Sequence, residues 1–581
     1  MEYDGLDHMA TRPTKPFANL LAALDLEGHQ TGHATARQSR VACLALAVVL
    51  SVLLLPSIGK AFNIDDPLFL WTARQIRQAP ANPYGFTVNW DGLDAPMAEV
   101  TKNPPLASYY VALAAAVLGW REWSLHLAFL LPALAVAVGT YLLARELCGR
   151  PMVAAMAAVF TPVFFVSSLT IMCDMLMLAF WVFAVYLWIR ALRTTNHAML
   201  ALAGALIALS ALSKYFGITL IPLLFLYAVL KLQRLTGWWL IYLAIPVGIL
   251  AGYQGITQRL YGQGLILDAA SFAGWARAEI VRPPITTTWI GLSFTGGCVA
   301  SLLFFARQLW SWRVVALGGL CAAALAGVVY SLTTFGAFRL PADAAARAML
   351  ALQLGTWGMV GITLIALAAL DLHRRRDADA LLLSLWTLGT FGFAVFVNWT
   401  TNGRSLLPIV VPAGILIARR LELRAPSSQP GTWPRAVTPL VAAVILSLLV
   451  TWADYRQAEA ARVGAAHIHA AYQAHPRRIW FQGHWGFQYY MEQHGAVAVE
   501  ANTSRFVPGD LVVTPTTSTG MRALSPSRGS VSHVLEVPSS AWLATTSHPV
   551  GAGFYWDGFG PLPFAFGRVT PERFTIFTIS N

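Results

Sequence analysis

The feature that most constrains this chain is a series of apolar runs, each close to the length needed to cross a bilayer. About thirteen such runs recur, at 41–59, 123–146, 151–169, 172–192, 198–213, 216–231, 237–254, 288–306, 312–332, 347–370, 380–398, 403–419 and 436–453. Inside a bilayer every backbone N–H and C=O must find a partner within the protein, so helices are the expected form. Of 581 residues, 56% are hydrophobic and 12% charged, and the mean hydropathy is +0.57. No soluble domain needs that much apolar sequence. The chain is therefore expected to be a polytopic α-helical membrane protein.

The net charge of +12 would by itself suit a nucleic-acid binder. The basic residues instead cluster in short loops between apolar runs: Arg145 and Arg150, Arg190 and Arg193, Lys231 and Arg234, Arg307 and Arg313, Arg374 to Arg376, and Arg419, Arg420 and Arg424. These loops alternate along the chain, as cytoplasmic loops do, so no nucleic-acid partner is expected. The polar segment 1–40 is then a cytoplasmic tail. A transmembrane domain follows over 41–453. The first loop, 60–122, the loop at about 255–287 and the tail 454–581 all lie outside the cytoplasm. For a bacterium this places the protein in the inner membrane with its C-terminal part in the periplasm. The five cysteines have neither disulfide nor metal spacing.

Two outer segments carry structure of their own. In the first loop, residues 67–78 have an amphipathic helical pattern suited to lying on the membrane, and 106–118 is apolar but too short to span. In the tail, strands at 478–481, 496–499 and 510–514 and a helix at 486–493 predict a small α/β domain. Its role is open among covering a site, recognising an acceptor and stabilising the fold.

Charged residues on the outer side are the candidates for chemistry. Asp65 and Asp66 follow the first run, in Phe62-Asn63-Ile64-Asp65-Asp66-Pro67. A carboxylate there is able to act as a general base; the plainer reading is a solvated pair, or a cap for the 67–78 helix. Two adjacent carboxylates are also able to hold a divalent metal, although no dedicated site is evident. Lys102, in Lys102-Asn103-Pro104-Pro105, would stabilise a leaving phosphate or else snorkel to headgroups. Asp174 begins an apolar run, where it needs a partner if buried or else favours the helix N-terminus. Lys214 marks another outer turn, with Asp174 or a phosphate as its partner. Arg277 lies in the 255–287 loop. Arg404 opens an apolar helix, where its charge opposes the helix dipole and calls for an anion.

Taken together these residues resemble the GT-C glycosyltransferases, closest to the bacterial family-39 and family-83 type proteins related to protein O-mannosyltransferases and lipid A aminoarabinose transferases. The resemblance runs from about 60 to 420, on Ile64-Asp65-Asp66-Pro67, Asn82-Pro83-Tyr84-Gly85-Phe86, Lys102-Asn103-Pro104-Pro105-Leu106, Asp174, Leu212-Ser213-Lys214 and Arg404-Ser405-Leu406-Leu407-Pro408. It implies inverting transfer from a polyprenyl-phosphate sugar to a hydroxyl of a glycan, lipid or protein acceptor. Asp65 would be the base, Asp174 would orient base or acceptor, Lys102 would bind the donor phosphate, and Lys214, Arg277 or Arg404 would assist. Relatives often carry Asp-Glu where this chain has Asp65-Asp66, and Arg-Tyr where it has Arg404-Ser405. Two rival classes are a non-enzymatic lipid flippase or transporter, which would favour charges or broken helices at mid-membrane, and a structural subunit of an envelope complex.

Overall fold

The computed structural model describes residues 36–279, 282–424, 432–524 and 528–580. The segment 1–35 thus lies outside the described residues, and with it almost all of the tail assigned to 1–40. Among the described residues, nine helices are long and apolar enough to cross a membrane, or eleven if two bent pairs each count as one span. The chain is a polytopic helical protein with a sheet-containing C-terminal unit, as expected. Two of the thirteen predicted runs fall short. Residues 198–213 form His197–Ser213, 17 residues long. Residues 403–419 are divided into Gly403–Leu406, a 3₁₀ turn Leu407–Ile409 and Val410–Arg424. Pro408, which has no N–H to donate, lies in that turn.

Prolines also shape the first bent pair. Pro151–Val159 and Pro162–Ser168 meet at 67°, and each begins with a proline at its first turn. The second pair, Pro284–Cys298 and Ser301–Leu309, bends by 88°. The intervening residues are Phe160-Thr161 and Val299-Ala300, so neither break carries an ionisable group.

Charge pairs show which helix ends share a side. At one side Arg193 meets Glu146 at 2.6 Å and Asp379 at 3.5 Å, and Arg419 meets Asp371 at 2.6 Å. These are the ends marked by the basic loops. The opposite ends of the same helices gather Asp65, Asp174, Lys214 and Arg404.

The first loop forms the expected helices Asp66–Gln78 and Leu106–Leu118. Between them is a hairpin, Thr87–Trp90 with Leu93–Pro96. Its turn residues, Asp91 and Gly92, both have positive φ, the backbone of the tight turn that Asp-Gly favours.

The tail begins inside a helix rather than at a linker. Thr432–Tyr472 is continuous, so the division drawn at 453/454 falls within one rigid element that carries the bundle into the sheet. The sheet has β1 (Ile479–Phe481), β2 (Val497–Ala498), β3 (Leu511–Pro515), β4 (Gly529–Val537) and β5 (Glu572–Ile579), in the order β2-β1-β3-β5-β4. β1 pairs in parallel with both β2 and β3, while β5 is antiparallel to β3 and β4. Helix Trp485–Gln493 links β1 to β2. Between β4 and β5 the chain leaves the sheet, forms short hairpins and packs back on the bundle.

Candidate active site

Asp65 is placed by a strained turn. Ile64 has φ +50°, an uncommon conformation for a β-branched residue. Two hydrogen bonds close the turn around it: Asp66 N donates to Asn63 O at 3.1 Å, and Asn63 N donates to Asp66 Oδ2 at 2.9 Å. The other oxygen, Asp66 Oδ1, accepts from Ile171 N at 3.1 Å. Asp66 thus ties the loop to the turn before helix Cys173–Thr194. It is fully buried, and burial pushes its carboxyl up to about 7 against the lowering effects of Lys60 and the two N–H donors. Both of its oxygens accept from backbone N–H groups, which sets it apart from Asp65.

Asp65 occupies the cap position of helix Asp66–Gln78 but makes no capping hydrogen bond. Its Oδ2 instead accepts from Arg404 Nη2 at 2.8 Å. Arg404 Nη1 lies 3.8 Å from Asp174 Oδ2, and Asp174 Oδ1 accepts from Lys214 Nζ at 2.5 Å. Four residues distant in sequence therefore form one alternating chain, Asp65–Arg404–Asp174–Lys214. The anion that Arg404 requires at a helix start is supplied by Asp65 and Asp174. Exposure is lowest inside the chain and higher at its two ends: the Asp174 side chain is 1% exposed, Arg404 13%, Lys214 19% and Asp65 26%. Asp65 Oδ1 accepts no hydrogen bond among the described residues. Asp174 Oδ2 and Arg404 Nε are also without a hydrogen-bond partner there. The site thus keeps unused polar valence around its most open carboxylate.

Lys102 and Arg277 are held elsewhere. Lys102 Nζ pairs with Asp268 at 2.7 Å and lies 5.1 Å from the Phe272 ring centre. Its neighbour Asn103 reaches Cys173, beside Asp174, through a 3.5 Å Sγ–Oδ1 contact. Arg277 Nη2 donates to Val395 O at 2.6 Å. Neither is ion-paired to the Asp65 chain. Among the described residues no three or more His, Cys, Asp or Glu side chains gather as metal ligands.

The C-terminal tail builds the back of this site. Gly403 N donates to Phe554 O at 2.7 Å, and a Cβ on Gly403 would meet the Phe554 ring at 2.7 Å. The Tyr555 ring centre lies 5.8 Å from Arg404 Cζ, so an aromatic ring stands beside Arg404 although position 405 is serine. Asp557 accepts from Thr400 Oγ1 at 2.7 Å and pairs with Arg282 at 2.5 Å. Asn398, the first residue of a glycosylation sequon, donates to Thr400 O and Ser405 Oγ and so holds this corner. On the other side Gly486 packs against the first loop, where a Cβ would lie 2.1 Å from Phe62 O. Tyr490 OH accepts from Phe62 N at 2.8 Å and contacts Glu122 Oε1 at 3.1 Å.

A second charge cluster is sealed behind the first. Lys60 Nζ pairs with Asp454 Oδ2 at 2.5 Å, with both side chains at most 2% exposed. Asp454 also accepts from Thr545 Oγ1 at 2.8 Å and Tyr555 OH at 3.0 Å. The sequence reading missed Lys60, Asp454, Tyr555 and Asp557. One signal was available: Lys60 and Asp454 are lone opposite charges at the outer ends of the first and last apolar runs.

Residues 102–252 match the model of the dolichyl-phosphate-mannose-protein mannosyltransferase family. The match begins at Lys102 and includes Asp174 and Lys214, and over that stretch it bears out the resemblance to membrane glycosyltransferases. No curated protein matches the chain. Among solved structures, the apo oligosaccharyltransferase of Archaeoglobus fulgidus is 14% identical, with 79% of this chain and 64% of that one covered and a TM-score of 0.45. ArnT from Cupriavidus metallidurans bound to undecaprenyl phosphate is 14% identical, with 81% and 93% covered and a TM-score of 0.41. The chain thus spans less than two thirds of the oligosaccharyltransferase.

Proposed function

We propose that this protein is a membrane glycosyltransferase that moves a sugar from a polyprenyl-phosphate donor to an acceptor hydroxyl, with inversion, on the periplasmic face of a bacterial inner membrane. The observation that carries the reading is the Asp65–Arg404–Asp174–Lys214 chain, whose most exposed member is a carboxylate with one oxygen free. The family match over 102–252 supports the same class of reaction.

The chemistry follows from the arrangement. Asp65 Oδ1 takes the acceptor hydroxyl proton as that oxygen attacks the anomeric carbon. The bond from that carbon to the phosphate oxygen breaks, and polyprenyl phosphate leaves with the electron pair. Arg404 holds Asp65 in place through the hydrogen bond to its Oδ2. Asp174 and Lys214 fix Arg404 from behind. Lys102 exchanges Asp268 for the donor phosphate, where a cation stabilises the growing charge. A transporter reading would draw on the two bent helix pairs, but their breaks carry no charge and the ionised residues gather at helix ends.

The test is to reconstitute wild type and Asp65→Asn with a panel of polyprenyl-phosphate sugars and to follow free polyprenyl phosphate by mass spectrometry. Release by wild type alone is the expected result. Equal release by the variant would remove Asp65 as base, and transport without release would favour the rival.

A further inference from the structure

A cavity of about 320 Å³ lies in the tail, at the carboxyl ends of β1 and β2. Its floor is Gln482 and Gly483, directly after β1, and one wall is Val499 and Glu500, directly after β2. The chain runs from β1 to β2 on one side, then crosses to the other side of β1 to form β3. Connections that part in this way leave a crevice at the carboxyl ends of parallel strands, the place where open α/β sheets bind ligands. Here the crevice is held open by specific contacts. Gln482, which is buried, accepts from Arg522 N at 2.7 Å through its side chain and so anchors the arm after β3. Gly520 in that arm has φ +67°, and a Cβ there would lie 2.7 Å from Asp91 Cα of the first-loop hairpin. The hairpin is tied to the other wall by Ala501 N donating to Gly92 O at 3.0 Å.

Three exposed arginines, Arg505, Arg522 and Arg528, are among the residues that line this cavity. None has an ion-pair partner within 4 Å among the described residues, whereas Arg573 on the same sheet is paired with Glu536. The acid in the wall, Glu500, is occupied by the N–H groups of Asn502 and Thr503. It offsets one of the three positive charges. The cavity therefore presents a net excess of arginine in a concave, polar setting large enough for a sugar-sized group. Arginine forks match the oxygens of phosphate and carboxylate.

We propose that this cavity binds an anionic saccharide, a sugar bearing a phosphate or a carboxylate, and that it holds the charged part of the acceptor. The acceptor role rests on the glycosyltransferase reading above; the binding of the anion does not. The placement fits that role. Gly483 is followed by His484-Trp485-Gly486, the segment that packs on Phe62 in the loop carrying Asp65. A ligand in the cavity is thus linked by a short stretch of chain to the loop that presents the base.

The test uses the full-length protein in detergent without donor. Binding of glucose 6-phosphate, glucuronate, inorganic phosphate and glucose is measured by calorimetry for wild type, for Arg505→Gln/Arg522→Gln, and for Arg573→Gln as a control on the same sheet. The expected result is binding of one charged sugar but not of glucose, weakened about 10-fold or more in the double variant and unchanged in the control. The preferred charged sugar tells phosphate from carboxylate. No binding of either charged sugar, or binding insensitive to the double variant with its melting temperature intact, would overturn the site. Equal affinity for inorganic phosphate and glucose 6-phosphate would overturn the saccharide assignment. A second arm measures transfer: the double variant should raise KM for a charged acceptor while leaving donor turnover to water unchanged. If wild type binds the anion but releases no polyprenyl phosphate, the glycosyltransferase reading fails and the binding site stands.

Discussion

Two clusters of the same residue types lie one behind the other in this protein, and they differ in what they leave unsatisfied. In the sealed cluster Lys60 and Asp454 are paired at 2.5 Å, Tyr555 donates to the same carboxylate oxygen and Thr545 to the other, so each of these polar atoms has a partner. In the open cluster Asp65 has one oxygen free, and Asp174 and Arg404 each keep an atom without a hydrogen bond among the described residues. A buried network in which every polar atom has a partner favours one structure. A cluster with spare valence at its exposed end is fitted to receive a substrate. The comparison separates charges that hold the tail on the bundle from charges that we propose do chemistry.

The two clusters should answer substitution in opposite ways. Asp65→Asn should lower polyprenyl phosphate release by about 10²–10⁴-fold, the usual contribution of a general base, with the melting temperature in detergent unchanged. Lys60→Met should do the reverse. It strands Asp454 as an uncompensated buried charge, at a cost of about 3–5 kcal/mol, visible as a lower melting temperature or lost expression. The double variant Lys60→Met/Asp454→Leu should recover part of that loss, because neither charge is left alone. If Asp65→Asn unfolds the protein and Lys60→Met does not, the roles assigned to the two clusters are wrong.

A smaller effect sharpens the boundary of the open cluster. Lys102 is partnered by Asp268 rather than by Asp174. If it exchanges that carboxylate for the donor phosphate, Lys102→Ala should raise KM for the donor by about 10–100-fold, the value of a charge-assisted hydrogen bond. Asp268→Asn should lower KM, since it frees the lysine. A kcat effect with no change in KM would assign Lys102 to the transition state instead.

The helical class and the two loop helices were legible because periodicity and length are local properties. So were Asp65, Asp174, Lys214 and Arg404, since each is an ionised residue at the end of an apolar run, where burial demands a partner. The pairing of Arg404 with Asp65 spans 339 positions and was foreseen only as an unmet need for an anion. What the sequence hid was contributed by the tail. Strands 529–537 and 572–579 have no turn signal tight enough to pair them, and Tyr555 and Asp557 reach the bundle through an irregular loop rich in glycine and aromatic residues. The Asp91-Gly92 hairpin was readable from its turn residues but its strands are only four residues long. The difference between Asp65 and Asp66 was not readable at all, because two adjacent aspartates differ only once the turn at Ile64 sends one to Arg404 and the other to backbone.

That turn yields the smallest expected effect. Asp66 titrates at about 7 in the folded protein because burial outweighs Lys60 and its two N–H donors, against about 3.9 in an unfolded chain. The folded state therefore holds a proton that the unfolded state has lost between those values. Linkage gives the sign: this stabilisation is fully present below about pH 4, declines as the pH rises toward 7, and is gone above it. Asp66→Asn has no such proton. Its melting temperature should be lower overall, because the amide cannot accept from both Asn63 N and Ile171 N, but it should fall less than that of wild type between pH 5 and pH 8. Transfer should fall with it only in part, since Asp65 remains and only its turn is loosened. A variant with the wild-type pH slope would show that the carboxyl is ionised throughout, and that the two backbone donors and Lys60, rather than burial, set its charge.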